Sequence, residues 1–369
     1  MSRDAGDTTG GVIERVRVPL ETEAWRMVCE GVAEPNVLDY LSVLHLGLDR
    51  GILSRIRDDG IDLRAQAAVD LADQTFGDSR FRPIPGAFDP DRSAIWSSLD
   101  EEVQALSEQS GATPPEKVLI VGTPHLVTLW RDRFYETSEG KVAADTWQLW
   151  DLNSFREEDL KRLLKRGPWD LLLEVLVGPT EDRRQLLEVL AGNVKRGGQV
   201  WVHTLNLPAT VTVQVVPENL VAIGFGGLPN RYGEPVVELS LPRNSDASDL
   251  VRAADTAAAL GVIPFEVADE PGAVGARLVA TLVNASSYLV REGFAASEGD
   301  ADREVKRELH LEESPFVLAD EFNLDAIEGV ILGLRAHLGE DRYRICPLLT
   351  MRIESGALGR ATNAGFYSA

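Results

Sequence analysis

Cysteine is nearly absent from this 369-residue chain; Cys29 and Cys346 are the only two. Two cysteines make no disulfide framework, and no Cys/His cluster has metal-site spacing, so no metal is expected. Long apolar runs are missing as well. None reaches the ~18 residues that suggest a membrane span, and the polar stretch from Met1 to Gly11 lacks the apolar core of a signal peptide. The expected location is therefore the cytoplasm, with no membrane partner. Positive charge is scarce: 37 Lys and Arg stand against 59 Asp and Glu, for a net charge of -22. Such a surface repels phosphate backbones, so nucleic acid is not an expected partner. The acidity reads as solubility and says nothing about a substrate.

What is present fits a globular protein, with 44% hydrophobic and 26% charged residues. The length predicts two or three domains. The first ten residues read as a loose tail. Residues 13 to 75 read as helical, with Val18, Leu20, Ala24, Met27 and Val28 at helical spacing. Proline and glycine near Phe81–Gly86 break that pattern. One amphipathic helix, Ala94 to Gln109, belongs to a linker. At Lys117 the texture changes to alternating apolar strands and helices, which imply a parallel sheet covered on both faces. Strands are expected at Val118–Gly122, Trp147–Leu152, Asp170–Val177, Gln199–His203, Leu220–Phe225 and Val236–Leu241. Helices are expected at Arg156–Lys165, capped by Asn153 or Ser154, at Glu181–Val194 and over residues 248–260. From about Asp269 the chain reads as helical to its end.

The tail carries the most specific pattern. Pro347-Leu-Leu349 is followed by Glu354-Ser-Gly-Ala-Leu-Gly-Arg-Ala-Thr-Asn-Ala-Gly-Phe-Tyr367. Upstream lie Ser314-Pro-Phe-Val-Leu-Ala-Asp-Glu-Phe-Asn-Leu-Asp325 and Asp269-Glu-Pro-Gly272 with Arg277-Leu278. Taken in order and at this spacing, these segments resemble the helical domain of L-3-hydroxyacyl-CoA dehydrogenases. Asp170 to Glu174, His203-Thr-Leu-Asn-Leu207, and Ile223-Gly-Phe-Gly226 with Glu238 twelve residues on extend the resemblance more faintly. It covers residues 117 to 369 and implies a Rossmann-like domain followed by a helical one.

The resemblance also implies a reaction, oxidation of a 3-hydroxyacyl thioester by NAD. In the family a His takes the hydroxyl proton, a Glu orients that His, and Ser and Asn hold the substrate oxygen. In this chain the His position is Gly226, the Ser position Leu205 and the Asn position Ala276; only Glu238 matches. Loss of a general base alone typically removes ~10²–10⁴ in rate. Glu238 reads either as a structural remnant or as an acid/base group in altered chemistry, with His203 as its companion candidate because imidazole titrates near neutral pH. His125, in the loop after the first strand, is the other histidine in a suggestive place.

A dinucleotide loop wants G-x-G-x-x-G after the first strand, and this chain has Gly122-Thr-Pro-His-Leu-Val127. Gly122 is kept as the cofactor-side glycine. Pro124 has no N–H to donate, and Val127 puts a branched side chain where helix and strand should pack closely. Asp151, placed at the end of the second strand, reads equally as a ribose-binding acid or as a helix-capping one. Gly178 replaces a second family acid. No cofactor is the expectation, with NAD as the alternative through a degraded loop.

The N-terminal helices repeat the tail. Glu30-Gly-Val-Ala33 matches Glu292-Gly-Phe-Ala295, and Gly77-Asp-Ser-Arg-Phe-Arg82 matches Gly339-Glu-Asp-Arg-Tyr-Arg344, each 262 residues later. Common anchors at one offset point to a duplicated helical domain. The predicted fold is α/β plus all-α, a Rossmann-like parallel-sheet domain flanked by two related helical domains. The predicted boundaries are 1–87 for the first helical domain, 88–116 for the linker, 117–268 for the Rossmann-like domain and 269–369 for the second helical domain. The two helical domains are expected to pair as an intrachain pseudo-dimer. For function, the residues predict a family member without the family's dehydrogenase activity, which binds an acyl-CoA-like small molecule or a protein partner. The alternatives are altered chemistry in the same cleft or an active NAD-dependent 3-hydroxyacyl-CoA dehydrogenase.

Overall fold

The structure is a computed structural model that describes residues 8–83, 113–152 and 156–367. The expected linker helix at Ala94–Gln109 and the caps at Asn153 and Ser154 lie outside the described residues. The chain divides into two compact units. One joins the N-terminal segment to the residues from Arg277 onward, and the other ends at Ala276.

The N-terminal segment holds α1 (Thr8–Cys29), α2 (Pro35–Leu46), α3 (Ile52–Asp59), α4 (Ile61–Gln74) and a 3-10 turn at Ser79–Phe81. Helix α1 starts at Thr8, inside the stretch expected to be a loose tail. Val16, Leu20, Ala24 and Met27 fall three or four apart and are all buried. Helix α2 opens on Pro35 and stops at Gly47, whose positive φ lets its amide reach back to the Val43 carbonyl.

In the sheet unit the strands are β1 (Val118–Gly122), β2 (Asp145–Gln148), β3 (Trp169–Val175), β4 (Val194–His203), β5 (Val221–Phe225), β6 (Val236–Ser240) and β7 (Ile263–Val267). The helices are α5 (Pro124–Thr137), α6 (Glu157–Leu164), α7 (Thr180–Ala191) and α8 (Ala247–Ala259). The sheet order is β2-β1-β3-β4-β5-β6-β7. All neighbours are parallel except β5 and β6, so the expected parallel sheet carries two reversed strands at one side. Every residue of β1 is buried, as befits a strand covered on both faces.

Strand β7 was not expected, because Pro264 interrupts its apolar run. It sits at the sheet edge, where a residue with no N–H to donate is tolerated. Strand β2 is shorter than expected and ends at Gln148. As a result Asp151 lies three residues past the strand, exposed, and does not terminate it. Trp201 lies within β4 and is fully buried, with its indole N–H on Gln199 at 2.8 Å.

The C-terminal segment holds α9 (Gly275–Arg291), α10 (Glu298–Glu308), α11 (Pro315–Phe322), α12 (Leu324–Leu338), a 3-10 turn at Asp341–Tyr343 and α13 (Pro347–Glu354). Helix does not continue to the end, contrary to expectation. After Glu354 the tail is a strap. The Asp320 carboxylate accepts the amides of Phe366 and Tyr367, both at 2.8 Å, and the Tyr367 hydroxyl donates to Asp302 at 2.7 Å. Phe366 stacks on Phe316 with centroids 4.0 Å apart. Gly365 lies against Asp320 so closely that any Cβ would overlap the carboxylate. These tertiary contacts override the helical pattern.

Candidate functional site

Carboxyl ends of parallel strands are where open α/β sheets bind ligands. Here that edge gathers Gly122 and Thr123 after β1, Glu174 to Val177 at the end of β3, His203 to Asn206 at the end of β4 and Gly226 after β5. Glu238 reaches the same neighbourhood from the reversed strand β6, since the Gly226 amide donates to the Glu238 carbonyl at 2.8 Å. A Cβ built on Gly226 would stand 3.1 Å from the Glu238 Cβ and 3.3 Å from its Oε1. The pair is therefore adjacent, as the resemblance implies, with no imidazole between.

The Glu238 carboxylate faces the start of α9. Its Oε2 accepts the Val274 amide at 2.6 Å and its Oε1 the Gly275 amide at 3.0 Å. A buried anion at a helix N-terminus satisfies donors that the helix cannot, and it lies favourably along the helix dipole. Leu205, at the Ser position, is fully buried and packs directly over Gly227. Ala276, at the Asn position, is buried in the first turn of α9.

His203 is enclosed. Its Nε2 donates to the Leu176 carbonyl at 2.9 Å, and its Nδ1 accepts the Leu205 amide at 3.2 Å. That pattern needs the neutral tautomer with the proton on Nε2. Burial, with the Arg183 guanidinium nearby, holds its pKa well below the usual imidazole range. With both ring nitrogens engaged, His203 is part of the wall.

The neighbouring Arg183 was missed in the sequence. It lies in α7 and is completely buried, as is its partner Glu174. Its Nη2 donates to Glu174 at 2.6 Å and to the His203 carbonyl at 2.6 Å, and its Nη1 donates to Asn206 at 3.3 Å. One guanidinium thus ties the ends of β3 and β4 to α7. The signal was a lone acid in the apolar run Leu171–Val175, which requires a cation somewhere.

The loop after β1 spends its polar groups internally. Gly122 has φ +137°, and a Cβ there would overlap the backbone of Val175 and Leu176. The Thr123 amide donates to the Val175 carbonyl at 3.1 Å, and the Val177 amide donates to the Thr123 hydroxyl at 2.8 Å. The Leu176 amide is taken by Glu174 at 2.8 Å. Pro124 opens α5 without an N–H, and Val127 is fully buried against the sheet. A pyrophosphate cradle needs convergent amides pointing outward. In this structure the Thr123, Leu176 and Val177 amides are taken by partners within the protein. Glu238, His203 and Gly122 thus come together on one edge of the sheet, and the exposed Asp151 follows the carboxyl end of β2, where the Leu149 amide donates to the Gly122 carbonyl at 2.7 Å. Among the described residues, no group of three or more His, Cys, Asp or Glu side chains could hold a metal ion, and no helix is long and apolar enough to cross a membrane.

A Rossmann-like sheet with its crevice at the strand ends, together with a separate helical unit, defines a two-domain Rossmann-plus-helical architecture. The family model described as 3-hydroxyacyl-CoA dehydrogenase, C-terminal domain, matches residues 10–87 and 272–369. A probable 3-hydroxybutyryl-CoA dehydrogenase of Deinococcus radiodurans is 30% identical over 200 residues, 54% of this chain and 71% of that protein. The 3-hydroxybutyryl-CoA dehydrogenase of Bradyrhizobium diazoefficiens is 29% identical over 200 residues, 54% of this chain and 67% of that protein. Among solved structures, 3-hydroxybutyryl-CoA dehydrogenase from Escherichia coli K12 superposes with a TM-score of 0.57 at 19% identity, covering 94% of this chain and 61% of that one. The chain belongs to the 3-hydroxyacyl-CoA dehydrogenase family.

Proposed function

We propose that this family member does not run the family's NAD-dependent oxidation and acts by binding, with an acyl-thioester-like small molecule as the ligand class. The observation that carries this reading is the state of Glu238. Its carboxylate is hydrogen-bonded to the Val274 and Gly275 amides, and it stands beside a glycine where an imidazole would be oriented. The enclosed His203 and the buried Leu205 support it, because neither offers a replacement base or an oxygen-holding donor at the crevice. The internal engagement of the Thr123 amide after β1 and of the Leu176 and Val177 amides after β3 supports the absence of tight NAD binding.

A second reading, an active NAD-dependent 3-hydroxyacyl-CoA dehydrogenase, is favoured by the names of the relatives, which are those of dehydrogenases. The names support this second reading more directly than the first. Purified protein with acetoacetyl-CoA and NADH separates the two. The first reading expects no NADH oxidation above background and no saturable NADH binding by calorimetry, with acetoacetyl-CoA itself still binding. Turnover at ordinary enzyme rates, ~1–10³ s⁻¹, would establish the second reading and end the first.

A further inference from the structure

The two helical segments form one compact unit, and matching residues of the two copies contact one another as they would about an approximate two-fold axis. After a one-residue slip in the repeat, which also aligns Asp39 with Asp302, Leu48 and Leu311 occupy matching places in the two copies and form an antiparallel bridge with each other. A residue that pairs with its own counterpart lies beside such an axis. The ion pairs reciprocate as well. Arg15 reaches Glu292 at 3.6 Å, and its counterpart Arg277 reaches Glu30, the counterpart of Glu292, at 3.2 Å. Within each copy the same cap recurs. Asp39 accepts the Leu53 amide at 2.7 Å at the start of α3, and Asp302 accepts the Phe316 amide at 3.0 Å at the start of α11. Reciprocal contact of matching residues is the mark of an isologous interface, and each copy can use that surface only once.

The symmetry breaks where it selects the partner. Arg277 is fully buried, and its Nε donates to Glu23. Its Nη2 donates to the Tyr343 hydroxyl at 3.1 Å, which in turn donates to Glu23 at 2.9 Å. The counterpart of Glu23 in the second copy is Ala285. Two C-terminal segments paired in the same way would bury two Arg277 side chains, each opposite an alanine. Each Arg277 would keep only the acid that corresponds to Glu30 and lose the one its Nε engages, which is unfavourable for a fully buried charge, so this choice of residue disfavours pairing between C-terminal segments of two chains.

We propose that residues 8–83 are a built-in partner for the C-terminal helical segment, that the pairing is made within one chain, and that the chain is a monomer. Sedimentation equilibrium of the full chain is expected to give a single species at 40.3 kDa across concentrations; a dimer overturns the proposal. Oxidation of a Leu48→Cys/Leu311→Cys variant locates the partner. The expected product is an intrachain disulfide, running at single-chain mass and identified by peptide mapping so that Cys29 and Cys346 are told apart. An interchain disulfide, or thiols that stay free in the folded variant, overturns it. Should that variant not fold, Glu23→Ala tests the same pairing. It is expected to lower the melting temperature while Glu23→Gln lowers it less, and an unchanged melting temperature removes the argument from Arg277.

Discussion

The tail strap and the sheet crevice descend from one family, and they have kept different things. In the strap, Asp320, Asp302, Gly365 and Phe366 hold the tail on the helices, within the segment that resembles the family's closing pattern. In the crevice, the resemblance assigns Gly226, Leu205 and Ala276 to positions where the family has side chains that act on substrate. The groups left around them serve the fold instead, with Glu238 capping a helix and His203 and Arg183 tying strand ends together. A sequence pattern kept for packing thus reports the fold, while a reaction has to be argued from the side chains at its own site.

The largest expected effect is Arg183→Ala. It leaves Glu174 buried without its cation and should destabilise the sheet unit by about 3–5 kcal/mol. Denaturant unfolding measures this, and a loss below about 1 kcal/mol would mean that the pair does not anchor the crevice.

Asp325 and His203, one in each unit, should also contribute to the pH response with opposite signs. Burial raises the Asp325 pKa to about 6, so folded helices bind that proton more tightly than the unfolded chain does. Their stability is fullest below about pH 4 and falls as pH rises through about 6, by up to about 3 kcal/mol. His203 acts in reverse. Its folded pKa is depressed, so the sheet unit keeps its stability above about pH 6.5 and loses it as the unfolded chain takes up the proton at lower pH. Hydrogen exchange corrected for intrinsic rates should show α12 better protected at pH 5 than at pH 7, and β4 the opposite. Asp325→Asn should flatten the first response only.

Smaller effects separate strap from crevice. Asp320→Ala removes the acceptor for the Phe366 and Tyr367 amides and should lower stability by about 1–3 kcal/mol, with faster proteolysis confined to the tail. Glu238→Gln keeps the size of the side chain but weakens the cap on α9, for a loss of about 1 kcal/mol. An equal loss in an Asp320→Asn variant would blur the distinction; loss of a measured turnover in the Glu238→Gln variant would give the crevice back its chemistry.

Much of the fold was legible in the sequence, as was part of the site. The apolar runs at Val118–Gly122 and Leu171–Val175 could be read as buried strands because burial on both faces leaves no polar alternation to confuse them. Gly226 could be placed beside Glu238 through the resemblance to the family's pattern. Strand β7 was hidden by Pro264, whose tolerance depends on an edge position that no local pattern reveals. The tail was misread because Leu349 and its neighbours continue a helical texture that the contacts to Asp320 cut short.

Glycine stops and the buried central strands follow from residues within a few positions of one another, and the sequence by itself determined them. It also determined the two helical copies, through anchors that match at one offset. Only the tertiary structure decided where the buried charges find partners. Arg183 meets Glu174 nine residues away across a strand end, and Arg277 meets Glu23 across 254 residues. A desolvated charge must be paired somewhere, and chain order does not say where, because the pairing is settled by which surfaces come together once the apolar faces are buried.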